Sequence, residues 1–232
     1  MLKLHSNQQR GSANHGWLQS RHSFSFGQFY HPELMGFGAL RVINEDVVQP
    51  GKGFGSHAHR DMEIISYVLS GELEHRDSLG NGSIIHAGSV QRMSAGTGII
   101  HSEFNPSATT SVHFLQIWLE PKVKGIQPSY AEMRNVVALA PGNLRLIASA
   151  DGREGSVSIH QDASIYLAVL TETQQAEYIL AAGRSAYVHV IRGSLEVNDV
   201  KLSSGDALML SEIAKVSCKQ ASHAECLLFD LP

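Results

Sequence analysis

His57 and His59 are separated by a single residue, and so are His101 and Glu103. In an extended strand alternate side chains share a face, so each pair would aim two donors toward the same side. Three imidazoles and one carboxylate suit a divalent iron, manganese, cobalt, copper, nickel or zinc ion. A lone His-x-His says little, because histidines are common on exposed strands. Two such pairs say more: buried in an apolar barrel without a partner, these groups would cost several kcal/mol. Each pair follows a glycine-rich run, Gly51-Lys52-Gly53-Phe54-Gly55 and Gly96-Thr97-Gly98-Ile99-Ile100. Four such ligands on a six-coordinate ion leave about two positions open. The centre would keep a net positive charge and attract an anionic substrate oxygen.

Elements that could hold these pairs are short and extended. Period-2 patterns rich in β-branched and aromatic residues run over 37–48, 63–69, 72–76, 112–120, 144–148, 165–170, 187–191, 195–197 and 225–231. Ser78-Leu79-Gly80-Asn81-Gly82 is expected to be a hairpin turn, since Asn and Gly tolerate positive φ. Only 129–140 carries a pattern suited to a short helical connector. The chain is therefore expected to be all-β, built as barrels or sandwiches.

A repeat supports two barrels in tandem. The segments 65–74 and 187–196 align when Gly71 and Gly193 are superposed, each expected as a strand, a glycine turn and a returning strand. Ala87-Gly88-Ser89-Val90 aligns with Ser204-Gly205-Asp206-Ala207. The boundary is expected within Pro121–Pro128, giving domains 1–125 and 126–232.

Composition narrows the function classes. The chain has 232 residues, 43% hydrophobic and 17% charged, which places it among globular proteins able to bury a core. A net charge of −4 offers no basic field for nucleic acid or anionic membranes. The polar start Met1–Arg10 does not read as a secretory signal, and no apolar run reaches bilayer-spanning length. Two cysteines, Cys218 and Cys226, are too few for a disulfide scaffold and are expected to be buried thiols. A cytoplasmic location is expected.

The motif Gly51-x5-His57-x-His59-x3-Glu63-x7-Gly71, followed by Gly96-x-Gly98-x2-His101-x3-Asn105, resembles the two sequence boxes of the cupin superfamily. The stretches 55–63, 93–103 and 35–44 resemble the pirin family more specifically. That resemblance implies a bicupin whose N-terminal barrel binds iron through His57, His59, His101 and Glu103. Other cupins take their carboxylate from the first box, so Glu63 stands as a rival ligand. The second box also has Gly96 where cupins usually carry proline. Counting back from Gly193 and on from Gly205 puts Ile179, Ala181, Cys218 and Gln220 in the corresponding C-terminal positions, a set unsuited to a hard metal. The C-terminal barrel is therefore expected to lack metal.

Other residues receive plainer expectations. His22, His31, His75, His86, His113, His160, His189 and His223 are expected at the surface or in satisfied packing. Phe24, Phe26, Phe29 and Tyr30 are read as an aromatic strand of core character. Met35, Phe37 and Phe54 lie close enough to the boxes for one or two to line the pocket, and Asn105 is read as a strand-end hydrogen-bonding residue.

The pirin resemblance implies a quercetin 2,3-dioxygenase that cleaves a flavonol with O2. In that chemistry the flavonol 3-hydroxyl loses its proton, with Glu103 as catalytic base, and a depside and carbon monoxide result. The resemblance also implies an alternative: an iron-dependent redox-sensing protein that docks a transcription factor or a metabolic enzyme. A third reading is a cupin dioxygenase or isomerase acting on another small diol or enol. Two fused barrels hide many strand edges, so a monomer is expected.

Overall fold

The computed structural model describes residues 1–140 and 142–232. Among these the secondary structure is strands plus three single 3-10 turns, Asn7–Gln9, Val137–Leu139 and Arg153–Gly155, with no α-helix. No helix of the described residues is long and apolar enough to cross a membrane. The expected all-β class is what the chain adopts.

The chain divides into two compact units, one of Arg10–Asn135 with Val157–Gln161, the other of Met1–Gln9, Val136–Ser156 and Asp162–Pro232. The division thus falls ten residues beyond the 125/126 cut read from the sequence. The cause is Ser129–Met133, which is a strand and not the expected helical connector. It pairs antiparallel with Val90–Ser94, from Ser129 opposite Ser94 to Met133 opposite Val90, and Met133 is buried. A strand's ladder outweighs the weak helical pattern of so short a segment. The first residues join the other unit because Leu2–His5 pairs with Ala207–Ser211.

The first unit consists of two sheets. One carries the strands Gly11–Asn14, Leu18–His22, Leu40–Val48, Val112–Leu119, Glu63–Ser70, Val90–Ser94 and Ser129–Met133, in that spatial order. The other orders Gly53–His59, Ile99–Phe104, Glu72–Asp77 and Gly82–His86. Leu73 and Ile85 of the smaller sheet pack with Leu18, Val48, Val68, Val112 and Phe114 of the larger, which forms the core between them. The hairpin expected at 78–82 joins Glu72–Asp77 to Gly82–His86.

Gly71 does not turn the chain back on itself, contrary to the sequence reading. Glu63–Ser70 lies in the larger sheet and Glu72–Asp77 in the smaller, so the chain crosses between sheets there. Gly71 has φ +77°, and a Cβ on it would sit 2.6 Å from the Ser111 carbonyl oxygen. Gly193 repeats this in the second unit: its φ is +72°, and a Cβ would lie 2.3 Å from the His223 carbonyl oxygen. Here the strand is continuous over Ser185–Val197, with bulges against Lys215–Leu231. Only glycine meets both demands at such a corner.

Register corrects the positions equated by counting. Glu103 faces His75, four residues after Gly71; Cys218 faces Val197, four residues after Gly193. Cys218 therefore occupies the station of Glu103, and Val216 that of His101. Val216 pairs with Tyr178 as His101 pairs with His57, so Tyr178 and Leu180 replace His57 and His59. The connection from Ser211 to Val216 is two residues shorter than that from Ser94 to His101, which displaces the count. Ile179 is 72% exposed and faces away from this interior. Leu180, Val216 and Cys218 belong to the second unit's apolar core, with Tyr178 packed against it.

Candidate metal centre

His57 and His59 sit on Gly53–His59, with the exposed Ala58 pointing away between them. His101 and Glu103 sit on Ile99–Phe104, both buried, with the less buried Ser102 between. The two strands are antiparallel neighbours with His101 opposite His57, so the two pairs are adjacent by register. A bulge between His101 and Glu103 shifts the pairing, placing Glu103 opposite Phe54.

The ligating atoms of His57, His59 and His101 all lie within 4.8 Å of one another. The closest approach is between Nε2 of His57 and Nε2 of His101, at 3.0 Å. Proton positions follow from the outer partners. Nδ1–H of His57 donates to the Gly55 carbonyl oxygen at 2.8 Å, which leaves Nε2 as the lone pair. Behind His101, Nε2 of His75 lies 3.1 Å from Oδ2 of Asp77, and both side chains are fully buried. Burial pushes the Asp77 carboxyl up, but hydrogen bonds from Asn81, His75 and Leu79 outweigh it, so Asp77 is held below the usual range. An ionised Asp77 can only accept, so the proton of a neutral His75 is on Nε2 and its Nδ1 is a lone pair. That lone pair faces Nδ1 of His101 at 3.5 Å, which leaves Nε2 of His101 unprotonated.

Two lone pairs therefore face each other at 3.0 Å, an arrangement that repels unless a cation lies between them. Two nitrogens bound cis to one ion at ~2.0–2.1 Å would stand about 3 Å apart. The donor set fits a divalent ion. Burial and neighbouring imidazoles lower the pKa of His59 to about 4 and of His101 to about 2, so these two rings stay unprotonated near neutral pH. Trp118 packs edge-on against His59 with ring centroids 5.0 Å apart.

Glu103 is placed differently. It groups with His75 and His101 within 4.8 Å, and the four residues read from the sequence do not close into one cluster at that distance. Its Oε1 accepts from Nε2 of Gln91 at 2.9 Å and lies 3.0 Å from the Ser66 hydroxyl. Its Oε2 accepts from Nε2 of Gln116 at 2.6 Å. Burial raises its pKa despite these donors and the nearby His75. The rival Glu63 is buried elsewhere, accepting from the Ser94 hydroxyl at 2.9 Å and from the His160 backbone N–H at 3.1 Å.

The donors around Glu103 form a row across the larger sheet. Gln91 stands opposite Ser66, Ser66 opposite Gln116, Gln116 opposite Asn44, and Asn44 opposite His22. Five adjacent strands thus present polar side chains at one level, from Glu103 into a cavity of about 380 Å³. His57, His59, Glu103, Gln116, Phe26, Phe29, Phe54 and Trp118 are among its walls. Phe26 and Phe29 thereby depart from their expected core role: the segment is no strand, only an isolated bridge between the two, while Phe24 alone is deeply buried. Phe54 lines the cavity as anticipated, whereas Met35 is exposed. Asn105 has the strand-end role expected of it, donating to the carbonyls of Val48 and Thr110 at 3.0 and 2.8 Å.

Sequence reasoning missed His75 and His22, which it grouped with packing histidines. A signal was present for His75: His75-x-Asp77 is a third period-2 pair, on the strand beside His101-x-Glu103. His22 carried no comparable signal, because its partner Asn44 (2.9 Å) is 22 residues away.

Residues 3–119 match the family profile described as Pirin, and residues 146–231 that of the quercetinase C-terminal cupin domain. The chain is 47% identical over 232 residues to the quercetin 2,3-dioxygenase of Escherichia coli K12, covering 100% of this chain and 99% of that protein. The fold is that of the crystal structure of YhhW from Escherichia coli, at 46% identity and TM-score 0.96, covering 100% of this chain and 98% of the other. YhhW in complex with nickel(II) superposes at TM-score 0.95, with 46% identity and coverage of 100% and 99%.

Proposed function

The chain belongs to the pirin family, and on that premise we propose that it is a metal-dependent quercetin 2,3-dioxygenase, opening a flavonol with O2. The carrying observation is that the three-histidine cluster borders an aromatic-walled cavity of about 380 Å³ that also contains a buried carboxylate. Such a cavity favours turnover of a planar small molecule over a purely regulatory role. His57, His59 and His101 would hold the ion, with Glu103 joining by a small movement or remaining beside it. Iron is the ion we assign; nickel, present in the Escherichia coli relative, would fit the same donors. When bound, the ion supplies Lewis-acid activation of the flavonol's 3-hydroxy-4-keto unit and a centre for O2 chemistry.

The chain's own residues do the rest. Glu103, its pKa raised by burial, is suited to take the 3-hydroxyl proton onto a carboxylate oxygen. Gln91, Ser66 and Gln116 hold that carboxylate in place. Phe26, Phe29, Phe54 and Trp118 present apolar faces that seat the rings and exclude water. The overall change balances without a further reductant: flavonol plus O2 gives a depside plus carbon monoxide.

Metal-loaded protein incubated with quercetin in air should consume the flavonol absorbance and release carbon monoxide. No turnover at full metal occupancy, or undiminished turnover in His57→Ala, would overturn the assignment.

A further inference from the structure

The same cavity has a second polar feature, on the strands Leu18–His22 and Leu40–Val48. Ser20, His22, Asn44 and Asp46 all line it, and all four are buried. They occupy alternate rungs of the larger sheet, on one face, with Ser20 opposite Asp46 and His22 opposite Asn44. Nδ1 of His22 lies 2.9 Å from Oδ1 of Asn44 and 3.4 Å from the Ser20 hydroxyl, so these atoms are partnered. Asp46 is partnered at one oxygen only. The Ser20 hydroxyl donates to its Oδ1, while Oδ2 accepts no hydrogen bond from any described residue. A carboxylate 5% exposed, with one oxygen unpartnered and facing a cavity, is costly unless something occupies that oxygen. Burial, opposed by the Ser20 bond and reinforced by Glu103 and Glu45, raises its pKa to about 7. Nothing in the reaction described above uses it.

The geometry points to Asp46, held by Ser20, as a subsite that reads the ligand: its Oδ2 accepts a hydrogen bond from a peripheral phenolic hydroxyl of the flavonol, one outside the 3-hydroxy-4-keto unit. This rests on the flavonol reading of the site. The chemistry follows from the walls. Phe26, Phe29 and Trp118 accept flat rings, the histidine cluster takes the chelating oxygens, and a hydroxyl at the ligand's periphery is the donor left to meet Asp46. A phenol pairs with the carboxylate as donor and with the carboxylic acid as either donor or acceptor, so the contact survives titration of Asp46. Such a contact discriminates strongly, because a ligand lacking the hydroxyl leaves Asp46 buried and unpaired.

Equilibrium binding of three ligands to zinc-loaded protein, read by tryptophan fluorescence quenching without O2, tests this. The ligands share the chelating unit: unsubstituted 3-hydroxyflavone, a 5,7-dihydroxy analogue and a 3′,4′-dihydroxy analogue. In Asp46→Ala one hydroxylated ligand should weaken about tenfold or more while 3-hydroxyflavone changes less than about twofold. Which analogue responds identifies the ring that meets Asp46. Asp46→Asn, which keeps an acceptor oxygen, should restore part of the loss. Equal weakening of all three ligands would make Asp46 merely structural, and no change in any would remove the subsite; either overturns the inference alone. Failure of every flavonol to bind the wild-type protein would overturn both the subsite and the flavonol reading. The 3-hydroxyflavone affinity and the circular dichroism spectrum report whether each variant is folded.

Discussion

The Nε2 atoms of His57 and His101, contributed by adjacent antiparallel strands, lie 3.0 Å apart with both lone pairs directed at each other. Neither ring can relieve this by shifting its proton, because the Gly55 carbonyl holds one tautomer and the His75–Asp77 pair holds the other. A cation removes the repulsion. His57→Ala or His101→Ala should therefore reduce bound metal from about one equivalent to near zero after dialysis, measured by elemental analysis. Chelation of the wild-type protein should lower its melting temperature. At an ion concentration of about 100 Kd, loading is worth ~2.7 kcal/mol.

Asp77 acts at one remove, through His75. Asp77→Asn leaves the hairpin turn but offers His75 a neutral partner, so the tautomer of His101 is no longer enforced. Metal affinity should drop about 10–100-fold with the fold intact, as measured by competition with a chromophoric chelator. Unchanged affinity would remove His75 and Asp77 from the metal-binding machinery.

Asp46 should imprint a pH dependence on stability. Its folded pKa, about 7, is raised above the ordinary 3.8, so the folded chain binds the proton more tightly than the unfolded one. The stabilisation is complete below about pH 4 and is lost as pH rises to about 7. The span is (7 − 3.8) × 1.36, roughly 4 kcal/mol at most. Asp46→Asn should abolish that part of the slope in urea titrations of metal-free protein. The lowered His59 and His101 contribute the opposite slope, with stability lost as pH falls below about 6.5.

Gly193→Ala should destabilise the second unit severely. A Cβ 2.3 Å from the His223 carbonyl oxygen, at φ +72°, forces the strand away from its neighbour. A loss of about 2 kcal/mol or more is expected in chemical denaturation, well above an exposed Gly→Ala exchange. Gly71→Ala should behave alike in the first unit.

Much of this was legible in the residues. Period-2 alternation marks the strands because an extended chain must alternate its faces, so spacing alone pairs His57 with His59, and His101 with Glu103. The recurring glycines at 71 and 193 pointed to duplication, because a positive φ with a neighbouring carbonyl oxygen closer than a Cβ allows admits little else. The pirin resemblance added the expectation that these four residues hold one metal ion.

Tertiary structure decided what depends on long separations. Ser129–Met133 became a strand because Val90–Ser94 offered an edge, which no local pattern announces. The second unit's counterparts of His57, His59, His101 and Glu103, namely Tyr178, Leu180, Val216 and Cys218, emerged only from strand register, since two missing residues in one connection defeat counting. Spacing puts Glu103 on the face of His101, whereas hydrogen bonds with Ser66, Gln91 and Gln116 hold it a step apart from His57 and His59. His22, Asn44 and Asp46 face the same cavity as the histidines because neighbouring strands bring them there. Residue spacing determines which side chains share a face; only the pairing of distant strands determines which faces meet.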